Sequence, residues 1–198
     1  MYKNFFKRIF DIIVALFAMP LVLIIILILG PIIFFEDKGP IFYNALRLGV
    51  NGKLFKMYKL RSMYVNAPDI RLEDGSTYNS DDDPRVTKIG RILRKTSLDE
   101  FPQFLNVLLG DMSIVGPRPD TPDQLYRYSG DTSAILKVKP GITGYNQAYF
   151  RNSINGNIKL KNDVYYANNI SFIFDLKIFF RTIKSVILKE NINGENYV

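Results

Sequence analysis

Between Asp11 and Glu36 the chain carries no charged residue. The run Ile12 to Phe35, about 24 residues dominated by Ile, Leu, Val and Phe, is long enough to cross a bilayer core as a straight helix. Few other features restrict a fold so strongly, because such a segment needs lipid or a deep core on most of its circumference. Three dispositions follow. A cleaved secretory signal has the right order, with Lys3, Lys7 and Arg8 ahead of the apolar run, but this run is too long and no small-x-small site follows it. The segment is therefore expected to stay.

Spanning and re-entry are separated by the flanking charges. Lys3, Lys7 and Arg8 lie on one side. Lys38, Arg47, Lys53, Lys56, Lys59 and Arg61 lie on the other, partly offset by Glu36 and Asp37. Positive flanks favour the cytoplasmic face, so both ends ask for the same side of the membrane. A helix that enters and returns satisfies both, and Pro20 is a point at which it can bend. Gly30-Pro31 marks a place for the chain to emerge. The expected division is residues 1–36 as the membrane helix, bent near Pro20, and residues 37–198 as one domain on the cytoplasmic side. A single 198-residue chain with a net charge of +7 suits an anionic membrane surface or phosphorylated substrates. The basic residues are not gathered on one reading element, so nucleic acid is not an expected partner.

The chemistry centres on Thr96 to Asp111 and on Gly116-Pro117-Arg118-Pro119. Asp99 and Glu100 sit side by side where a short helix begins. Phe101, Phe104, Leu105 and Leu108 keep helical spacing, and Gly110 supplies the stop. One reading is a capping box, Ser97-x-x-Glu100, with Asp99 complementing the helix dipole. Pro102 argues against it, because with Ser97 as N-cap its ring would collide with the preceding turn, at roughly 3 kcal/mol. A later helix start removes the clash and frees both carboxylates for other work.

The sequence has no His and no Cys. That removes Ser-His-Asp and Cys-His nucleophilic systems, thiolate chemistry and the usual zinc sites. A carboxylate, hydroxyl or lysine is left as nucleophile or base, and a carboxylate pair can hold Mg2+, which shares oxygen ligation with phosphates. Arg94 and Arg118 are candidate phosphate clamps, because guanidinium presents a fork of donors matched to phosphate oxygens. The prolines beside Arg118 stiffen its backbone, whereas Arg94 also suits ordinary surface pairing.

Elsewhere the pattern is coarser. Gly39 to Met63 alternates apolar and basic residues and reads as two strands joined at Asn51-Gly52. Lys59 and Arg61 then share one face, either solvated or facing a ligand. Asn66 to Asp83 reads as a polar loop, its Asp81-Asp82-Asp83 triplet more consistent with solvation than with metal. Ile89 to Lys95 reads as a short basic helix. Gly141, Gly144 and Gly156 suggest tight backbone near a ligand. Phe172, Leu176, Phe179, Ile183 and Ile187 form a helical stripe that suits either a core or a membrane interface, with Lys177, Arg181, Lys184 and Lys189 lying off it. The tail from Asn191 to Val198 is polar. The expected class is α+β, mostly helical with a small β-hairpin, one compact domain carrying the membrane helix and interfacial amphipathic helices.

Several motifs in order resemble the bacterial sugar transferase family, the monotopic phosphoglycosyl transferases. They are Lys56 to Met63, Asp83 to Arg91, Ser97 to Gln103, Gly116 to Pro119, and Lys139 to Gly144 followed by Gln147 and Arg151. The resemblance implies transfer of a phospho-sugar from a UDP-sugar to undecaprenyl phosphate with release of UMP, on the cytoplasmic face of the bacterial inner membrane. It implies Asp99 as nucleophile through a covalent phosphosugar intermediate, with Asp99 and Glu100 positioning Mg2+. It implies donor binding by Lys59, Arg61, Arg85, Arg94, Arg118, Gln147 and Arg151, with downstream glycosyltransferases as possible partners. Members carry a re-entrant helix broken at a Ser-Pro pair; here the pair is Met19-Pro20, without the hydroxyl. The alternative is a non-catalytic membrane-surface scaffold binding anionic lipid or partner enzymes.

Overall fold

In the computed structural model, which describes residues 2–70, 78, 80, 82–150 and 154–188, the long N-terminal helix is the member to which everything else is attached. Helix α1 runs from Phe6 to Asp37 with Pro20 and Pro31 inside it. Each proline lacks an N–H, so the helix loses one internal hydrogen bond at each point. It ends at Lys38, which is left-handed (φ 58°) and closes the last turn on the Phe34 carbonyl. Helix α1 is the one described helix long and apolar enough to cross a membrane.

Strands β1 (Ala45–Leu48) and β2 (Leu54–Met57) form an antiparallel hairpin in the register Ala45 to Met57. The turn holds Asn51 at φ 56° and Gly52 at φ 73°, the positive pair that an Asn-Gly hairpin requires. Helix α2 (Lys88–Thr96) is capped by Thr87, whose side chain accepts from the Gly90 N–H, and by Glu36 of α1, which accepts from the Lys88 N–H at 2.7 Å. Helix α3 (Gln103–Leu109) stops at left-handed Gly110. Strands β3 (Ser113–Val115) and β4 (Gly141–Thr143) pair in parallel. Helices α4 (Tyr145–Tyr149), α5 (Gly156–Asn168) and α6 (Phe172–Ile187) complete the chain.

Two apolar clusters bind α1 along its length. Near its N-terminus, Ala15 packs with Val107, Met112, Val115, Tyr166 and Ile178. Further on, Ile25 and Ile33 pack with Leu60 and Leu93. Polar locks sit beyond each cluster. The Lys7 ammonium donates to Asp175 of α6 at 2.6 Å and to the Val115 carbonyl at 2.8 Å, and Asp11 accepts from Ser113 and the Ile114 N–H. At the far end, Asp37 is gripped through both oxygens by Arg61. The two ends of α1 are thus fixed to one body.

The outward side of α1 is apolar, with Phe17 84% and Leu27 74% exposed. Two other helices are turned the same way. On α3 the buried residues are Gln103, Asn106 and Val107, while Leu105 and Leu109 face out. On α6 the buried residues include Asp175, Ile178 and Ser185, while Phe172, Ile173, Phe180 and Ile183 face out. Of the stripe read in α6, Phe172 and Ile183 face out and Phe179 packs on the core, and both helices expose apolar residues while burying polar ones such as Asn106 and Asp175. A helix in water does the reverse.

Candidate active site

The acids owe their position to how α2 ends. Ser97 is left-handed (φ 57°) and terminates that helix, its N–H closing on the Arg94 carbonyl. A single 3-10 turn, Leu98–Glu100, follows, and α3 begins only at Gln103. Ser97 makes no side-chain cap bond, so the capping box does not form. The late start accommodates Pro102 and leaves both carboxylates free of helix capping. Leu98 and Phe101 pack on the cluster around Leu60, and the Asp99 carbonyl accepts from the Leu60 N–H at 2.9 Å. The turn is therefore anchored to the segment that carries Lys59.

Lys59 joins the two acids. Its ammonium lies 2.7 Å from Asp99 Oδ2 and 3.4 Å from Glu100 Oε1. Asp99 is buried, and Glu100 reaches outward to Arg118, with Arg118 Nη2 at 2.7 Å from Glu100 Oε1. Burial by itself would raise the Glu100 carboxyl, but Arg118 and then Lys59 outweigh it and hold the group down at about 2. Glu100 in turn raises the Arg118 guanidinium. Arg94 donates to Ser62 at 3.0 Å; burial lowers its guanidinium, while the charges of Asp99 and Asp83 act the other way. Asp99, Glu100, Lys59, Arg118 and Arg94 thus form one cluster of alternating charge.

Arg118 is carried by backbone packed too closely for side chains. The Gly116 N–H donates to the Thr143 carbonyl and the Gly141 N–H to the Pro117 carbonyl. A Cβ on Gly141 would fall onto the Gly116 backbone, and one on Gly144 onto the Gly116 carbonyl. These glycines allow the backbone-to-backbone contact that aims the Pro117-Arg118-Pro119 loop.

Two predicted donor-binding arginines lie elsewhere. Arg61 is buried and has all five donors engaged, with Asp37 twice and with the carbonyls of Ile33, Pro40 and Met63. It locks the C-terminal end of α1 and has no donor left for a phosphate. Arg85 is likewise buried. It chelates Asp83 and donates to the carbonyls of Pro68 and Tyr78, which organises the loop before α2. The Asp83 carboxyl is held below the usual range by those Arg85 bonds. Gln147, on α4, has both side-chain polar atoms buried without a partner. Arg151 lies outside the described residues.

The donor set fits Mg2+ in one respect. Asp99 and Glu100 already converge on one cation, and oxygen donors shared with phosphates are what this ion takes. Among the described residues no group of three or more Asp, Glu, His or Cys gathers, so phosphate oxygens and water would complete such a shell. Sequence reasoning missed two buried polar residues of α3, Gln103 and Asn106. The available signal was a polar residue recurring at i and i+3 in an apolar helix.

A family model described as bacterial sugar transferase matches residues 2–189. The uncharacterized sugar transferase EpsL of Bacillus subtilis is 41% identical over 192 residues, 97% of this chain and 92% of that protein. The undecaprenyl-phosphate galactose phosphotransferase of Salmonella typhimurium is 38% identical over 205 residues, 95% of this chain but 42% of that protein. The UDP-N-acetylgalactosamine-undecaprenyl-phosphate N-acetylgalactosaminephosphotransferase of Aeromonas hydrophila is 35% identical over 189 residues, 92% of this chain and 44% of that protein. The chain spans less than half the length of these last two relatives.

Proposed function

The chain belongs to the bacterial sugar transferase family, and from that premise we propose that it moves a sugar phosphate from a UDP-sugar to undecaprenyl phosphate with release of UMP. The observation that carries this reading is the chain of ion pairs in which Lys59 joins Asp99 to Glu100 and Glu100 joins Arg118. A buried carboxylate beside cations is suited to attack phosphorus in a donor whose own charge those cations attract.

In this mechanism an oxygen of Asp99 attacks the β-phosphorus of the donor. The bond from that phosphorus to the bridging oxygen breaks, and UMP leaves with the bridging oxygen. A phosphate oxygen of the polyprenol acceptor then attacks the same phosphorus and releases Asp99. Arg118 stands half exposed, where it can exchange Glu100 for phosphate oxygens, and Arg94, held by Ser62, adds positive charge that Asp99 feels. Mg2+, held by Asp99 and Glu100, would supply neutralisation of phosphate charge when bound.

The membrane seat is part of the proposal. Both ends of α1 are fixed to the same body, and its outward face joins the outward apolar residues of α6. This favours a helix that dips into one leaflet over one that crosses, and the positive flanks favour the cytoplasmic side. A lipid-linked phosphate would then lie near the depth of the acids.

Intact-protein mass spectrometry tests the chemistry. The protein is mixed with Mg2+ and candidate UDP-sugars without acceptor. A mass gain of one phosphosugar, absent in Asp99→Asn, is the expected result. No adduct, together with no UMP release when acceptor is added, would remove the transferase reading.

A further inference from the structure

We propose that Asn106 is a positioning residue for Lys59: its side-chain amide stands in for a missing strand and sets where the Lys59 ammonium meets the two acids. The inference rests on the transferase reading for its kinetic consequence but not for its geometry.

Strand β2 has one strand partner, β1. On the edge facing α3, the groups at Lys56 and Tyr58 need partners, and carbonyl i and N–H i+2 of a strand point the same way. Asn106 supplies both. Its Oδ1 accepts from the Tyr58 N–H at 2.9 Å, and its Nδ2 donates to the Lys56 carbonyl at 2.7 Å. A primary amide presents a donor and an acceptor side by side, as a neighbouring strand does. The residue is fully buried, and a second contact of Nδ2, with Asp111 Oδ2 at 3.3 Å, fixes the orientation of the amide.

Lys59 follows directly. Its preceding residue is held by Asn106, its following residue by the Asp99 carbonyl at 2.9 Å, and its own carbonyl accepts from the Tyr43 N–H at 2.9 Å. Two of these three anchors come from the stretch 99–106 that also carries the acids. The register between acids and lysine is therefore set locally. The distances of 2.7 and 3.4 Å from Nζ to the two carboxylates depend on it. A loss of this anchor lets the Lys59 backbone drift, and a displacement of about 1 Å at a reacting centre can lower turnover about 100-fold.

The test uses Asn106→Ala and Asn106→Asp in the full chain, with Val107→Ala as a control that thins the same helix in the core cluster it shares with Phe55 and Met57 and removes no hydrogen bond to β2. Aspartate keeps the bond from Tyr58 but cannot donate to Lys56. Two readouts are taken: the rate at which a small amine-acylating reagent labels Lys59, by peptide mass spectrometry, and the kinetics of UMP release. Labelling of Lys59 should rise about tenfold in both Asn106 variants while Lys88 and Lys95 stay unchanged, with kcat down roughly 10- to 100-fold and donor KM within about threefold. Val107→Ala should leave Lys59 labelling and kcat near wild type. Unchanged labelling in folded Asn106 variants, or equal loss of kcat in the control, overturns the assignment. So does failure of both variants to fold, which would make Asn106 a core residue first. If wild type releases no UMP while Lys59 labelling responds as expected, the transferase reading fails and the positioning stands.

Discussion

Arg61 provides a sharp test of how this site is divided from its scaffold. Arg61→Met removes a buried guanidinium with five engaged donors, and it leaves Asp37 and the carbonyls of Ile33, Pro40 and Met63 without them. Breaking a buried pair by deleting one partner costs about 3–5 kcal/mol, and partial access of water to Asp37 favours the lower end. At about 3 kcal/mol, a domain of this size should lose roughly 6–12 °C in its unfolding midpoint. The measurement is thermal unfolding in detergent micelles at one fixed heating rate. Asp37→Asn combined with Arg61→Met should recover part of the loss, because the Arg61 bonds hold the Asp37 carboxyl below its ordinary range and that unpaired charge disappears. Below the transition, donor KM should stay within about twofold of wild type, since the side chain has no donor for substrate. A midpoint left unchanged together with a large rise in donor KM would refute the reasoning and return Arg61 to the donor site.

Arg118→Lys keeps the charge but loses the fork, and should lower UMP release about 10- to 100-fold with little change in unfolding midpoint. Glu100, held at about 2 against 4.5 when unfolded, contributes stability that is present above pH 4.5 and lost as pH falls toward 2; Arg118→Met should flatten that acid limb in pH-dependent unfolding. Asp163 has the opposite sign. Burial, and then the charge of Asp120, push its carboxyl up to about 7 from 3.8, so the folded state keeps a proton the unfolded chain gives up. Stability should therefore decline as pH rises from 3.8 to about 7, and Asp163→Asn should abolish that slope. Gly141→Ala drives a Cβ into the Gly116 backbone and should lower both stability and turnover, the former by about 1–3 kcal/mol.

What the sequence disclosed and what it concealed follow one physical rule. The Asn51-Gly52 hairpin, the Gly110 stop and the helix around Ile89 to Lys95 were legible, because turn chemistry and capping act within a few residues. The acid pair was legible once Pro102 had excluded an early helix start. The facing of α6 stayed open between core and membrane interface, because periodicity finds an apolar stripe without saying whether protein or lipid covers it. Asn106 and Asp175 are buried while Leu109 and Phe180 face out. The parallel pair β3 and β4 joins residues far apart in the chain through three-residue strands, too short for any period to register. Lys59 and Arg61 were expected together on one face, yet tertiary partners separate them, one at the acids and one at Asp37.

The locks at the two ends of α1 bear on how a water-soluble form of such a protein is to be made. Deleting an anchor is the usual first resort, and here it would strip Asp175 of Lys7, Arg61 of Asp37 and α2 of its Glu36 cap at one stroke. The helix is a beam of the building as well as its mooring. Engineering for solubility therefore belongs on the outer face, at positions such as Phe17, Leu27, Phe35 and Phe180, where polar replacements disturb no contact that holds the acids in place.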